Sequence, residues 1–188
     1  MVQRYIFLLS GKMRAGKDTI ADVLLTKNPS CVRIALADEL KKIARECYGW
    51  DGKKDYKGRI LLQRIGTECG RFYNENLWVN KVIEKIKLDI NKDYVITDCR
   101  FVNEYIELDK FAEHTQYNLV SIRTIRPVSF KNKIKLVCSK SFWHSSEREH
   151  LKIPFDILIN NNQGFEEFKV KIGKMIDDIY GGWPEITY

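Results

Sequence analysis

The feature that most constrains this chain is a junction near its start. The stretch 4–9, apolar from Tyr5 to Leu9, runs straight into Gly11-Lys12-Met13-Arg14-Ala15-Gly16-Lys17-Asp18-Thr19. An apolar run bounded by Ser10 and Gly11 reads as a strand buried on both faces, as in the middle of a parallel sheet. The following segment matches G-x-x-x-x-G-K and opens a helical pattern over 17–26. Glycines at these places let backbone N–H groups wrap an anion in conformations a Cβ would obstruct. A helix starting at once after them turns its free N–H groups and dipole on the same anion. Two glycines and a lysine at fixed positions arise by chance in roughly 5% of chains this long. The strand before and the helix after cut those odds further and point to a phosphate-binding loop. An ordinary glycine-rich turn is the alternative. In the strict pattern Ser or Thr follows the lysine. Here Asp18 does, with Thr19 next, so either side chain is the candidate on the metal side of a bound nucleotide.

The rest of the chain reads as alternation. Strand patterns fall at 31–36, 94–97, 118–125 and 155–159, and helical patterns at 38–47, 59–73, 75–90, 103–113 and 165–180. In 38–47, Leu40, Ile43, Ala44 and Cys47 share one stripe; in 165–180 the stripe is Phe165, Phe168, Ile172, Met175, Ile176 and Ile179. Residues 49–57 read as a polar loop, and 127–151 carry charges without a clean period. Strands separated by helices predict an α/β fold with a doubly wound parallel sheet. At 188 residues the expectation is one domain over 1–188 with a small inserted lid. Apolar residues are 44% and charged residues 30% of the chain, which excludes intrinsic disorder. No apolar run is long enough to span a membrane, and the start lacks a cleavable secretory pattern. The five cysteines, Cys31, Cys47, Cys69, Cys99 and Cys138, show no close pairing. They fit reduced thiols and a cytoplasmic setting. Cys138, His144 and His150 offer only three ligands and no C-x-x-C pair, which argues against zinc. The net charge of +7 suits an anionic ligand. The basic residues are spread along the chain apart from the 127–151 stretch, which argues against nucleic acid as the partner.

Taken together, the motifs resemble those of the phage-type deoxynucleoside monophosphate kinases, in the P-loop nucleoside monophosphate kinase superfamily. The resemblance rests on GKMRAGKDT, on Ile65-Gly66-Thr67-Glu68 with Arg71 and Trp78, and on Asp98-Cys99-Arg100-Phe101-Val102-Asn103-Glu104. It is completed by His144, Ser146 and Glu147, then Asp156 and Ile159-Asn160-Asn161. It implies a three-layer P-loop kinase fold with a parallel five-stranded sheet. It also implies an acceptor-binding helical region over about 38–92 and a lid over about 127–151. The implied reaction is phosphoryl transfer from ATP, with Mg²⁺, to a (deoxy)nucleoside monophosphate. The setting would be the cytoplasm, that of the host if phage-encoded. Dephospho-coenzyme A kinase and one type of phosphomevalonate kinase share parts of the pattern, so another small-molecule acceptor is the alternative. A nucleic-acid-binding or regulatory nucleotide-binding protein is a more distant one.

In that frame Gly11, Met13, Arg14, Ala15, Gly16, Lys17, Asp18 and Thr19 hold ATP, and Lys17, Arg71, Asp98, Arg126 and Arg148 are the catalytic candidates. Asp18, Thr19 and Asp98 are the metal candidates. Arg64 and Arg71 lie seven apart on the helix expected over 59–73, hence on one face; both are candidates to clamp the acceptor phosphate. Thr67, Glu68 and Glu104 belong to the matched substrate-side segments. Asp98, at the carboxyl end of a strand, sits where open α/β sheets bind ligands; its other reading is a helix cap. Asp38 has the same two readings. Arg100 contacts substrate or pairs with Glu104, four residues on. Trp78 stacks on a base or packs in the core. Arg126 and Arg148 are the lid residues for ATP. The aromatic tail 180–188, with Trp183 and Tyr188, packs on its own domain or on a second copy, which leaves a homodimer open.

Overall fold

The computed structural model describes residues 3–127, 149–162 and 164–182. Strands β1 (Arg4–Ser10), β2 (Val32–Ile34), β3 (Tyr94–Ile96), β4 (Tyr117–Ile125) and β5 (Ile157–Asn160) form one sheet in the order β2-β3-β1-β4-β5. Every pairing is parallel. The expected α/β class and five-stranded parallel sheet are what the chain adopts.

β1 is central because its side chains can be buried on both faces. Tyr5, Phe7 and Leu9 point one way, into a core built with α1 (Lys17–Lys27) and α6 (Phe165–Tyr180). Ile6 and Leu8 point the other way, against α4 (Leu77–Leu88) and α5 (Val102–Glu113). Burying each such side chain stabilises the fold by about 1.5–3 kcal/mol. The result is three layers with β1 sandwiched at full depth. A third core of Ala44, Trp50, Ile65 and Trp78 holds α2 (Ala37–Tyr48) and α3 (Tyr56–Gln63) to the helices that follow.

Four sequence expectations need correction. The helix expected over 59–73 is two elements: α3 ends at Gln63, and Arg64–Arg71 is a π-helix in which Phe72 N–H donates to Thr67 O, five residues back. The loop expected over 49–57 already contains the start of α3, whose N-cap Asp55 accepts from Gly58 N–H at 2.8 Å. In α2 only Ala44 is fully buried and Cys47 is exposed, because the third core covers a narrower strip than the four-residue stripe implies. Phe165, read as core, is 61% exposed at the first position of α6, where it lines a surface cleft. The expected 127–151 lid lies largely outside the described residues, as do Cys138, His144, Trp183 and Tyr188. Among the described residues Cys31, Cys47, Cys69 and Cys99 are free thiols, and no helix is long and apolar enough to cross a membrane.

Candidate functional site

The carboxyl ends of β1, β3 and β4 open on one edge of the sheet, and the loop between β1 and α1 lies across it. Gly11 has φ +134°, and a Cβ there would run into the carbonyl of Thr124 on β4. Arg14 (φ 64°) and Gly16 (φ 116°) also take left-handed conformations. These turns fold the loop back on itself, so that Ala15 N–H donates to Lys12 O at 3.2 Å. The Lys17 ammonium reaches into the loop and donates to Gly11 O at 2.7 Å and Lys12 O at 2.9 Å. α1 begins at Lys17, which aims its free N–H groups at the loop.

The loop is braced from the far end of the chain. Asn161 Nδ2 donates to Ala15 O at 2.9 Å, and Asn161 N–H donates to Ile125 O at 2.7 Å. A Cβ on Gly16 would stand 2.7 Å from the Phe168 ring and 2.8 Å from Asn161 Nδ2, so α6 closes directly on the loop. Beside it lies a cleft of about 350 Å³ lined by Arg14, Gly16, Asp18, Thr19, Arg126, Asn161 and Phe165. Arg126 thus lines the same cleft as the loop residues. Arg148 lies outside the described residues. Met13 is exposed on the loop's crest. Asp18 pairs with Arg33 of β2, which also reaches Asp22 at 3.4 Å. Thr19 faces the cleft.

On the β3 side, the segment 98–104 organises the surrounding helices. Asp98 accepts from Leu36 N–H at 2.7 Å with one oxygen and from Ala37 N–H at 3.1 Å with the other, capping the N-terminus of α2. Asp38 accepts from Ala35 N–H at 2.9 Å and pairs with Lys41 at 3.1 Å. Asn103 Nδ2 donates to Glu75 O at 2.9 Å and Asn76 Oδ1 at 2.8 Å, fixing the turn before α4. Glu104 takes Arg100 N–H at 2.8 Å and Phe101 N–H at 3.0 Å, and its side-chain ion partner is Arg71. Burial pushes the Glu104 carboxyl above its usual range, against the opposing pull of the Arg71 guanidinium. The neighbouring Cys99 thiol is pushed well up, chiefly by burial.

The substrate-side expectations divide here. A π-helix turns roughly 80° per residue against 100° in an α-helix, so residues seven apart fall on nearly opposite sides. Arg64 and Arg71 therefore do not share a face. Arg64 is 69% exposed and lies 3.9 Å from Glu68, itself on the surface. Arg71 turns inward, 3.9 Å from the centre of the Phe101 ring. Thr67 lies on the same π-helix, half-buried. Trp78 is 4% exposed, and its Nε1–H donates to Gly66 O at 3.0 Å. Of the two readings of Trp78, burial decides for the core residue and against the base-stacking one. Arg100 is exposed, and its backbone, not its side chain, is what Glu104 accepts. Sequence reasoning matched Asn161 only as part of a motif segment and Phe165 only as part of a stripe, and it gave neither of them, nor Arg33, a role at the loop. Asn161 and Phe165 stood in a polar turn and a hydrophobic stripe, and neither pattern signals a role beside the loop.

No family model matches the chain. Among curated proteins, a glutamine-hydrolysing GMP synthase of Aromatoleum aromaticum is 32% identical over 76 residues, 39% of this chain but 15% of that protein. Solved structures align over nearly the whole length. A dephospho-CoA kinase from Campylobacter jejuni superposes with a TM-score of 0.56 at 17% identity, covering 94% of this chain and 98% of that one. The chain has the fold of the P-loop kinases. A chain from Chloroflexus aurantiacus provisionally assigned as a kinase superposes equally, with a TM-score of 0.56 at 12% identity, over 97% of this chain and all of the other. At these identities the likeness concerns the P-loop kinase architecture.

Proposed function

We propose that this chain transfers the γ-phosphoryl group of ATP to a (deoxy)nucleoside monophosphate. The observation that carries the reading is the pairing of two anion-seeking groups on one sheet edge. A glycine-built loop with Lys17 follows β1, and an inward-turned Arg71 is held beside the carboxyl end of β3. A donor site alone needs the loop; a transferase also needs a cation for the acceptor. In the reaction an acceptor phosphate oxygen attacks the γ-phosphorus and the bond from that phosphorus to the ADP oxygen breaks. The work left to the protein is positioning and charge neutralisation. Lys17 is the point charge for the β- and γ-phosphates, and the loop amides supply N–H donors. Arg71 orients the acceptor phosphate. Arg126 and Arg14 flank the cleft beside the loop, where ATP's charged chain and base would enter.

The donor set fits a magnesium ion. Thr19 faces the cleft and Asp18 adjoins it, and Mg²⁺ takes most of its remaining ligands from water and phosphate. Among the described residues no three acidic, cysteine or histidine side chains gather into a ready-made cage, which is the arrangement a nucleotide-borne metal needs least. Bound there with the nucleotide, the ion supplies charge neutralisation on the transferring phosphate. Asp98 holds α2 in place with both oxygens and keeps spare lone pairs for a bridging water.

A second acceptor is dephospho-CoA, favoured by the Campylobacter jejuni neighbour's fold-wide superposition. One assay separates the two: ADP production with ATP and Mg²⁺, screened across the common NMPs, dNMPs and dephospho-CoA. Turnover with one or a few monophosphates, lost in Lys17→Ala, is the expected result. Turnover with dephospho-CoA alone transfers the reading to that acceptor. ATP binding without turnover on any of them overturns both.

A further inference from the structure

The Glu104 carboxylate does not face a substrate. It is 2% exposed, and all of its recorded partners are protein donors: the N–H groups of Arg100 and Phe101 on one oxygen, and Arg71 Nη2 on the other. The first two bonds fix the carboxylate to the backbone at the start of α5. The third fixes a guanidinium to the carboxylate. The Phe101 ring lies beneath that guanidinium at 3.9 Å, so the plane of Arg71 is set as well as its position. Arg71 is 19% exposed and its Nε–H is buried with no acceptor among the described residues. The guanidinium is therefore held in place with donor capacity left over, beside the segment that joins the carboxyl end of β3 to α5. An arginine free to sample its rotamers would lose that freedom on every binding event.

We infer that Glu104 is a positioning residue: it holds Arg71, through one guanidinium nitrogen, in the orientation that receives the acceptor's phosphate. This rests on the phosphotransferase reading above and adds the residue that makes its acceptor clamp rigid. It also reassigns Glu104 from the substrate contact that the sequence motif suggested. If Glu104 acts through Arg71, its loss matters only while Arg71 is present.

A double-mutant cycle tests that dependence. Glu104→Gln keeps an acceptor for the two backbone N–H groups and removes the charge facing Arg71. It is expected to raise the acceptor KM about tenfold or more and to leave the ATP KM within twofold. Glu104→Asp restores part of the loss. Arg71→Ala combined with Glu104→Gln is expected to be no worse than Arg71→Ala alone. Effects that multiply, or an ATP KM that rises in step with the acceptor KM, would overturn the assignment. Should Glu104→Gln fail to fold, Glu104→Asp takes its place in the cycle. If no monophosphate or dephospho-CoA is turned over, the readout is the Arg71 Nε–H resonance in ¹⁵N-labelled protein, titrated with inorganic phosphate. A phosphate-dependent shift in the wild type that needs at least tenfold more phosphate in Glu104→Asp keeps the positioning role for another acceptor. Equal phosphate affinity in the two proteins, or no shift in either, removes it.

Discussion

Asn161 ties the loop after β1 to the far end of the chain through one amide. Its Nδ2 donates to Ala15 O inside the loop, while its own N–H is spent on the end of β4. The side chain is a strut between the last strand and a loop that begins more than a hundred residues earlier. A net hydrogen bond of this kind is worth about 0.5–1.5 kcal/mol. Asn161→Ala is expected to lower stability by about that amount and to raise the ATP KM about tenfold, with the acceptor KM nearly unchanged. Steady-state kinetics with each substrate varied in turn checks the split. The same residue marks a limit of reading sequence alone. Lys17 and the loop glycines were legible because their chemistry is compressed into nine consecutive positions. Asn161 and Phe165 were not, because their partners are far away in the chain and their types are at home in any turn or any core stripe.

Among the elements, the π-helix is the one whose chemistry most depends on its geometry. The wider turn separates Arg64 from Arg71, sending one to the surface and the other to Glu104. Trp78 is what the widened segment closes upon. Its indole donates to Gly66 O, and its ring occupies the space where Gly70 lacks a side chain. A Cβ at Gly70 would stand 2.5 Å from Trp78 Cζ2 and 3.1 Å from Ile65 O, a conflict with ring and backbone that rotamer changes cannot relieve. Gly70→Ala is expected to cost about 1–3 kcal/mol of overpacking. It should weaken acceptor use far more than ATP use. Thermal unfolding together with ATP binding by calorimetry tests this; equal loss of both ligands would count against a separate acceptor-side element. The sequence pattern over 59–73 reads as one helix because apolar spacing of three and four accommodates both helix types over so short a stretch. The distinction lies in Gly66, Gly70 and a tryptophan several residues on, and only their packing makes it visible. The sheet was easier: β1 announced itself as doubly buried, and the order of strands and helices left little freedom in the topology.

Across the whole molecule, the sheet edge opposite the loop is tied by a buried carboxylate. Asp93, just before β3, accepts from Tyr5 N–H at 3.0 Å, Asn28 Nδ2 at 2.8 Å and the Tyr180 hydroxyl at 2.7 Å. It joins β1, the end of α1 and the end of α6 in one network. Burial, with the Asp93 charge adding to it, raises the Cys31 thiol to about 12 and pushes the Tyr180 phenol well up. Asp93→Asn turns an acceptor into a donor facing the hydroxyl and the amide. The expected loss is about 2–3 kcal/mol of stability, from hydrogen bonds to a charged group. KM for both substrates is expected to stay within twofold at a temperature where the variant remains folded, because the network sits at the amino edge of the sheet. Denaturant unfolding with parallel kinetics decides it; a large change in KM would show that the two edges are coupled.

The packing of α6 on Gly16 also has a consequence for synthesis. β1 emerges from the ribosome first, yet its neighbours β3 and β4 lie some ninety and more residues later, and Phe168 and Asn161 arrive later still. A nascent chain stalled before α6 carries every residue of the phosphate-binding motif but not the wall that shapes it. The loop after β1 is thus made well before the helix that packs on it.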